Sequence, residues 1–336
     1  MSKQKLTLYE DATQTWGLIE DDALLTLRSL PESCVDCVIT DPPYGIGFHD
    51  EAWDGVDIHR AVAGGEALSA EAAFERWTTR WAAECRRVLK PGGHLLSSGA
   101  PRTFHRLVCG IEDAGLQVRD QLLWLNAQGM PKSRRLPGGW GTALKPAYEP
   151  ILLARKPTDG RVTDNLEAFG TGALNIEAAR ANGYWPAHLA LAHAPVCTES
   201  RCASGCPAGM LDAARPDLLP SRMFFCAKAT RAEREAGCEM LPRRLVPVYT
   251  GKHHPPRMVR NTHLTVKPLA LMRWMVKLVT PPDGIVLDPF TGSGTTGAAA
   301  VLERRRFLGI EREPDYVDIA CARLAHWAHE AARESS

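Results

Sequence analysis

The chain has 336 residues, of which 45% are hydrophobic, and this length allows about two domains or one large α/β domain with an insertion. The formal net charge is only +1, so the overall balance gives no sign of a nucleic-acid partner, and any DNA contact must come from local basic clusters. The sequence contains neither an apolar run of about 18 residues nor an apolar leader, which predicts a soluble, cytoplasmic protein without a membrane partner.

Up to residue 157, helical and strand patterns alternate along the chain. Segments with apolar residues at helical spacing are separated by short β-rich runs. Such alternation is typical of a mostly parallel sheet covered by helices. The predicted elements are the helix DDALLTLRSL, the strand VDCVIT, the helix EAAFERWTTRWAAECRRVLK, the strand HLLSSG, the helix PRTFHRLVCGIEDAG and the extended segments LQVRDQLLWLN and AYEPILLARKP.

Residues 158–254 interrupt this alternation. They are rich in Gly, Pro, Ala and Cys, with short helical pieces at NIEAARA and KATRAEREAG. The alternation then resumes with the helix VKPLALMRWMVKLVTPPDG, the strand IVLDPF, the loop and helix TGSGTTGAAAVLERR, the strand RFLGIE and the helix PDYVDIACARLAHWAHEAAR. We therefore expect one domain built from residues 1–157 and 255–336, and an inserted irregular domain at 158–254.

The strand VDCVIT runs into Asp41, Pro42, Pro43 and Tyr44. Proline cannot donate to a sheet ladder and holds the preceding residue extended, so the strand must stop at Asp41 in a short, stiff loop. Ligands of open parallel sheets bind at this carboxyl edge. The four residues predict a functional loop there, the alternative being a turn that only ends the strand.

A second loop carries the pattern Gly292-x-Gly294-x-x-Gly297 between a strand and a helix, and Glu311 follows at the end of the next strand. This pattern resembles the dinucleotide fingerprint, so an NAD-dependent oxidoreductase is one hypothesis. Too little chain follows Gly297 to complete a nucleotide-binding sheet. The other strands must come from the N-terminal half, which predicts a permuted order with both loops at one sheet edge.

In this order, DPPYG, HLTVKP, VLDPFTGSGTT and FLGIE resemble the β-class DNA amino-methyltransferases, over about residues 18–157 and 255–325. The resemblance implies an α/β, Rossmann-like methyltransferase fold with circularly permuted motifs and S-adenosylmethionine as cofactor. It also implies methyl transfer to the exocyclic amine of a flipped-out base in double-stranded DNA, and a target recognition domain at 158–254. The first-position Asp of DPPY favours adenine N6, with cytosine N4 as the alternative.

The same resemblance assigns roles to individual residues. Asp41 and the Pro42 carbonyl would accept hydrogen bonds from the target amine, and Tyr44 would stack on the base. Two departures from the family pattern are Asp21 in place of glycine in GDAL, and HLT in place of HPT before the lysine motif. The implied catalytic residues are Asp41, Pro42, Pro43 and Tyr44, and the implied cofactor-binding residues are Asp22, Asp41, Lys267, Asp288, Phe290, Gly292, Ser293, Gly294, Thr295 and Glu311.

Lys132, Arg134 and Arg135 lie in the Gly/Pro-containing segment GMPKSRRLPGG. Such a basic loop is predicted to contact DNA phosphates, the alternative being a solvated loop. Besides DNA, the partners left open are a second copy of the chain and a cognate restriction enzyme. A catalytically silent DNA-binding protein is the alternative of another class, and a protein-glutamine methyltransferase is disfavoured because that group usually has Asn in place of Asp41.

His193, Cys197, Cys202 and Cys206 occur close together among Gly and Ser residues. Soft ligands at such short spacing, in a segment with few core residues, predict a structural Zn²⁺ site. His188 could take the place of His193, and thiols that bind no metal are the alternative.

Overall fold

The computed structural model describes residues 7–11, 15–64, 68–125, 136–180, 185–191, 228–246 and 255–334, together with residues 183, 197, 204, 206, 209–210 and 213. Eleven strands lie in the described part of the chain. They are β1 (Thr7–Glu10), β2 (Trp16–Glu20), β3 (Val35–Thr40), β4 (Leu89–Ser98), β5 (Gln117–Leu125), β6 (Tyr148–Arg155), β7 (Leu189–Leu191), β8 (Arg244–Val246), β9 (Arg257–Val259), β10 (Ile285–Asp288) and β11 (Arg306–Glu311).

Nine of these strands form one sheet in the order β1-β2-β11-β10-β3-β4-β6-β5-β7, and β8 and β9 form a separate antiparallel ribbon. The central pairs β2–β11, β11–β10, β10–β3 and β3–β4 are parallel. The strands β1 and β6 are antiparallel to their neighbours. The predicted mostly parallel sheet is confirmed, and β10, which arrives late in the chain, pairs with the early strand β3.

The helices that cover the sheet are α1 (Ala23–Ser29), α2 (Val56–Ala63), α3 (Ala70–Val88), α4 (Phe104–Asp113), α5 (Val162–Phe169), α6 (Arg231–Glu235), α7 (Leu269–Val279), α8 (Thr295–Leu302) and α9 (Pro314–Arg333). Two apolar clusters form the core. One contains Leu271, Met275 and Ala299 from α7 and α8, and the other contains Phe74 and Trp81 from α3. The sheet therefore has a helical layer on each face, as parallel sheets require.

Several elements differ from the sequence-based expectation. The hairpin of β1 and β2 was not anticipated, and neither were α5 and β7. The segment NIEAARA, expected to be helical, forms turns at residues 176–179. Its Ala179 carbonyl accepts a hydrogen bond from Trp274 Nε1 in α7 at 3.0 Å, so this segment is held by packing on the main core.

Part of the segment assigned to the inserted domain lies on the sheet itself. The strand β7 pairs in parallel with β5 at the sheet edge. The side chain of Asn165 in α5 donates to the Pro91 carbonyl at 3.0 Å. The hydroxyl of Thr171, just after α5, donates to the same carbonyl at 2.5 Å. These contacts tie residues 162–171 and 189–191 to the strand framework, and the division at residue 158 stays a prediction.

None of the helices in the described ranges has the length and apolar character needed to cross a bilayer.

Candidate functional site

The loop that follows β3 is held by one buried carboxylate. Asp54 is only 1% exposed and lies in a short 3-10 turn before α2. It accepts the backbone N–H groups of Gly45 and Phe48, both at 2.8 Å, and also those of Tyr44 and Ile46. Because each of these N–H groups would otherwise need another partner, Asp54 fixes the course of the loop after Tyr44.

Asp41 and Tyr44 meet Lys267 and Glu149 in a compact cluster. The Tyr44 hydroxyl donates to Asp41 Oδ1 at 2.6 Å, and Lys267 Nζ lies 2.6 Å from Asp41 Oδ2. Lys267 Nζ also lies 3.2 Å from Glu149 Oε2, and the Tyr44 hydroxyl lies 3.4 Å from the same oxygen. Two acidic side chains thus share one buried ammonium group and one phenol.

Burial and charge act in opposite directions on this cluster. Burial raises the pKa of the Asp41 carboxyl, and the Lys267 ammonium partly opposes that rise. Burial also disfavours the charged form of Lys267, but the carboxylates of Asp41 and Glu149 outweigh it and raise its pKa. Burial and the Asp41 charge raise the pKa of Tyr44 well above its ordinary value, so the phenol remains a hydrogen-bond donor.

The glycine loop after β10 contacts the side chain of Glu311. Gly292 has a φ of 53°, and its backbone N–H donates to Glu311 Oε2 at 2.8 Å. The other oxygen of Glu311 accepts the backbone N–H groups of Arg312 and Glu313, both at 2.9 Å. Burial raises the pKa of Glu311 to about 7, although these three hydrogen bonds favour the ionised form.

Asp288 joins the two loops across neighbouring strands. The Thr40 hydroxyl, at the end of β3, donates to Asp288 Oδ1 at 2.7 Å, and the Phe290 backbone N–H donates to the same oxygen at 3.1 Å. Burial raises the pKa of Asp288 to about 6. This contact places the residue before Asp41 directly beside the start of the glycine loop.

Phe290 belongs to an aromatic cluster with two residues of α3. Its ring centroid lies 5.3 Å from that of Trp77 and 5.6 Å from that of Trp81, the latter edge-on. All three rings border the cleft described below. The sequence suggested Phe290, but the two tryptophans carry no motif and are recognised only from the fold.

Other predicted cofactor residues have local structural roles. Asp22 caps α1 by accepting the Leu24 and Leu25 N–H groups at 2.9 and 3.1 Å. The Ser293 and Thr295 hydroxyls lie 3.3 Å apart and are both buried. Gly294 packs toward α9, where a Cβ would meet Ala320 at 3.1 Å.

Both loops open into one cleft of about 1130 Å³. Asp57 of α2 and Arg312 form an ion pair of 2.6 Å between two elements that border it. The cleft is bordered by most of the predicted site residues, namely Asp22, Asp41, Pro42, Pro43, Tyr44, Lys267, Asp288, Phe290, Gly292, Ser293, Thr295 and Glu311, and also by Glu149 and His263.

Two predicted clusters fall wholly or partly outside the described residues. Lys132, Arg134 and Arg135 lie outside them, as do His193 and Cys202. Among the residues that the structure describes, no group of three or more His, Cys, Asp or Glu side chains could hold a metal ion. Cys197 and Cys206 instead pack in a small apolar cluster around β7, so the zinc prediction has no support.

The chain is similar to known DNA methyltransferases. The type II methyltransferase M.HindIII of Haemophilus influenzae is 25% identical over 350 aligned residues, which cover 91% of this chain and 94% of the relative. M.HinfI of the same species is 22% identical over 314 residues, covering 91% of this chain and 67% of the relative. The solved structure of the PvuII DNA methyltransferase (cytosine-N4-specific) shares the fold, with a TM-score of 0.55, 16% identity and coverage of 95% and 93% of the two chains.

A family model described as DNA methylase, of the N6/N4 methyltransferase type, matches residues 35–322. This match covers the strand before Asp41, the Lys267 region, the glycine loop and Glu311. It includes the DPPY loop, for which an NAD-dependent oxidoreductase has no use. The chain belongs to the N6/N4 family of DNA amino-methyltransferases.

Proposed function

We propose that the protein methylates the N6 amine of adenine in double-stranded DNA, with S-adenosylmethionine as the methyl donor. The observation that carries this proposal is the position of Asp41 and the glycine loop on adjacent parallel strands, bordering one cleft. This arrangement supports a role for Asp41 as acceptor of the amine and for the neighbouring glycine loop as the binding loop of the nucleoside.

The residues around Gly292 fit a nucleoside-containing donor. A Cβ at Gly292 would lie 2.6 Å from His263 Nε2, so the close approach of this loop to His263 at the cleft requires glycine. Glu311 would accept hydrogen bonds from the ribose hydroxyls, and Asp22, Phe290, Ser293 and Thr295 border the same cleft. When bound, S-adenosylmethionine supplies an electrophilic methyl group.

The DPPY loop would prepare the amine for transfer. The lone pair of an aromatic amine is delocalised into the ring, which makes the nitrogen a weak nucleophile. Asp41 and the Pro42 carbonyl would each accept one amine hydrogen and so direct the lone pair toward the methyl group. Pro43 stiffens the loop, and the Tyr44 ring would stack on a base taken out of the duplex.

Adenine is proposed because Asp, in place of Ser, stands first in the DPPY motif. The cytosine-N4 specificity of the PvuII enzyme is a property of that protein, which shares only the fold with this chain. Residues 158–254 are proposed to choose the DNA sequence, and Lys132, Arg134 and Arg135 to contact phosphates. A homodimer and a cognate restriction enzyme remain predictions.

Mass spectrometry of nucleosides from DNA incubated with the protein and labelled S-adenosylmethionine tests the proposal. Labelled N6-methyladenine is the expected product, and Asp41→Ala should abolish it. Labelled N4-methylcytosine would replace the proposed base while keeping the mechanism. If DNAs of varied sequence acquire no label but are bound equally by the wild type and Asp41→Ala, the protein is a silent DNA-binding protein.

A further inference from the structure

The catalytic carboxylate is already occupied in the arrangement seen here. The Tyr44 hydroxyl donates to one oxygen of Asp41, and Lys267 Nζ lies 2.6 Å from the other. An incoming amine must donate to the same carboxylate, and a base that stacks on Tyr44 must share the space around its ring. Each oxygen can accept a further hydrogen bond, so the amine need not displace both donors. It must nevertheless share an oxygen with the Tyr44 hydroxyl or with Lys267, and a donor that moves away leaves Asp41 the stronger acceptor.

Glu149 offers both donors a second acceptor. Its Oε2 lies 3.2 Å from Lys267 Nζ and 3.4 Å from the Tyr44 hydroxyl, both longer than the corresponding contacts with Asp41. A small movement toward Glu149 would thus release Asp41 without leaving the ammonium group unpaired. An unpaired buried charge is strongly unfavourable, so a second acceptor makes the exchange feasible.

The sheet fixes the position of this second acceptor. Glu149 lies in β6, where it pairs with Trp124 of the antiparallel neighbour β5. Its side chain is 27% exposed, against 9% for Lys267, so it lies at the more open side of the cluster. The carboxylate is therefore held by a rigid element, independently of the DPPY loop that must receive the base.

We propose that Glu149 is a positioning residue that accepts the hydrogen bonds of Lys267 and Tyr44 when the target amine binds Asp41. This inference rests on the proposed function, because it requires that an amine become a ligand of Asp41. It applies equally to adenine and cytosine. Among the described residues, the charged and titratable groups that act on Glu149 and Asp41 include Lys267, Tyr44 and Asp288, with Lys228 nearby from the segment before α6.

The test compares Glu149→Gln, Glu149→Asp and the control Glu112→Gln, which makes the same change at an exposed position of α4. In Glu149→Gln, Lys267 loses one of the two carboxylates that pair with it among the described residues and keeps Asp41, so the target amine competes less well for Asp41. We expect kcat to fall by about 100-fold, as for a misplaced catalytic group, with the KM for S-adenosylmethionine unchanged. Glu149→Asp, which keeps the charge, should recover part of the rate.

The pH dependence of kcat separates positioning from simple packing. The Glu149 charge raises the pKa of Asp41, so its removal lowers that pKa. The acid limb of the kcat profile, where Asp41 becomes protonated, should therefore move to lower pH in Glu149→Gln and stay in place in Glu112→Gln. A purely structural defect would lower kcat without moving this limb.

Each result either supports or contradicts the positioning role of Glu149. If the wild type labels an amine and Glu149→Gln keeps its kcat and its acid limb, the positioning role is wrong while the proposed function stands. If the wild type labels no amine of any DNA, both proposals fail. Should Glu149→Gln not fold, Glu149→Asp answers alone, because its shorter side chain moves the charge away from Asp41: a reduced kcat with an acid limb at lower pH supports the role, and an unmoved acid limb overturns it.

Discussion

Asp54 and Tyr44 are joined by a hydrogen bond from the Tyr44 backbone N–H to the Asp54 carboxylate, across ten positions of the chain. The proline pair stiffens the loop before Tyr44, and Asp54 fixes it after Tyr44. The aromatic ring that is proposed to stack on the base is thus held from both sides. This anchor lies outside the DPPY motif and consists of a single side chain.

Replacement of Asp54 should therefore affect both stability and activity. Asp54→Asn exchanges one acceptor oxygen for a donor, so at least one of the backbone N–H groups loses its partner. We expect the free energy of unfolding to fall by about 1–3 kcal/mol. Urea unfolding measures this change, and Asp50→Asn, at an exposed position of the same loop, is the control. Equal stability of the two variants would show that Asp54 does not hold the loop.

Removal of the Lys267 charge should move the pH dependence of the reaction. In Lys267→Met, the Asp41 carboxylate loses its nearest cation while Glu149 remains, so the pKa of Asp41 rises further. Because the ionised carboxylate accepts the amine, activity should be lost at a higher pH than in the wild type. A pH series of kcat/KM, which reports the groups of the free enzyme, measures this shift, and Lys277→Met on α7 serves as control. An unshifted acid limb would contradict the pairing of Lys267 with Asp41.

Nucleoside binding should weaken below neutral pH because of Glu311. Its pKa of about 7 in the free protein means that acidification protonates the group proposed to accept the ribose hydroxyls. If only the ionised form accepts them, affinity falls about tenfold from pH 8 to pH 6. Calorimetry with 5′-methylthioadenosine measures this change, since that nucleoside has the hydroxyls but no amino acid portion.

Two variants complete the Glu311 experiment. Glu311→Gln should bind the nucleoside weakly and with the same affinity at both pH values. Glu112→Gln, at an exposed position of α4 and not among the charges that shift the pKa of Glu311, should keep the wild-type pH dependence. A wild-type affinity that does not change between the two pH values would contradict the assignment of Glu311 as the titrating hydroxyl acceptor.

Gly297 should tolerate no side chain. A Cβ there would lie 2.4 Å from Leu324 and 2.6 Å from Phe307, where α8 packs against α9 and β11. We expect Gly297→Ala to lower the free energy of unfolding by about 1–3 kcal/mol through overpacking. Gly17→Ala is the matched control, because its Cβ would meet nothing closer than 3.4 Å. Unfolding curves that coincide for the two variants would show that α9 and β11 shift enough to accommodate the added methyl group.

The position of the two loops could be predicted from the sequence because a recognisable strand leads directly into each motif. The buried runs before Asp41 and Asp288 were recognisable by composition, and parallel strands end at the same sheet edge. That Asp41 and Gly292 border one cleft could therefore be predicted without knowledge of the strand order. The structure adds the Thr40–Asp288 hydrogen bond, which shows that the two strands are direct neighbours.

Glu149, Asp54 and Trp77 could not be predicted in the same way. Glu149 reaches Lys267 only because β6 runs antiparallel beside β4, and no local pattern specifies that pairing. The strands β1 and β7 were missed because each has only three or four residues and depends on tertiary pairing. Short strands carry too little periodicity to stand out from loops.

The pairing of β10 with β3 has a consequence for the order in which the protein can assemble during synthesis. Thr40 leaves the ribosome 248 residues before Asp288, and β2 reaches the rest of the sheet only through β11. The early strands β2 and β3 therefore remain unpaired on one edge until β10 and β11 have been translated. Because such distant contacts form slowly, a nascent chain should gain its methylating cleft in a single late step, and ribosome stalling before residue 284 should leave it without one.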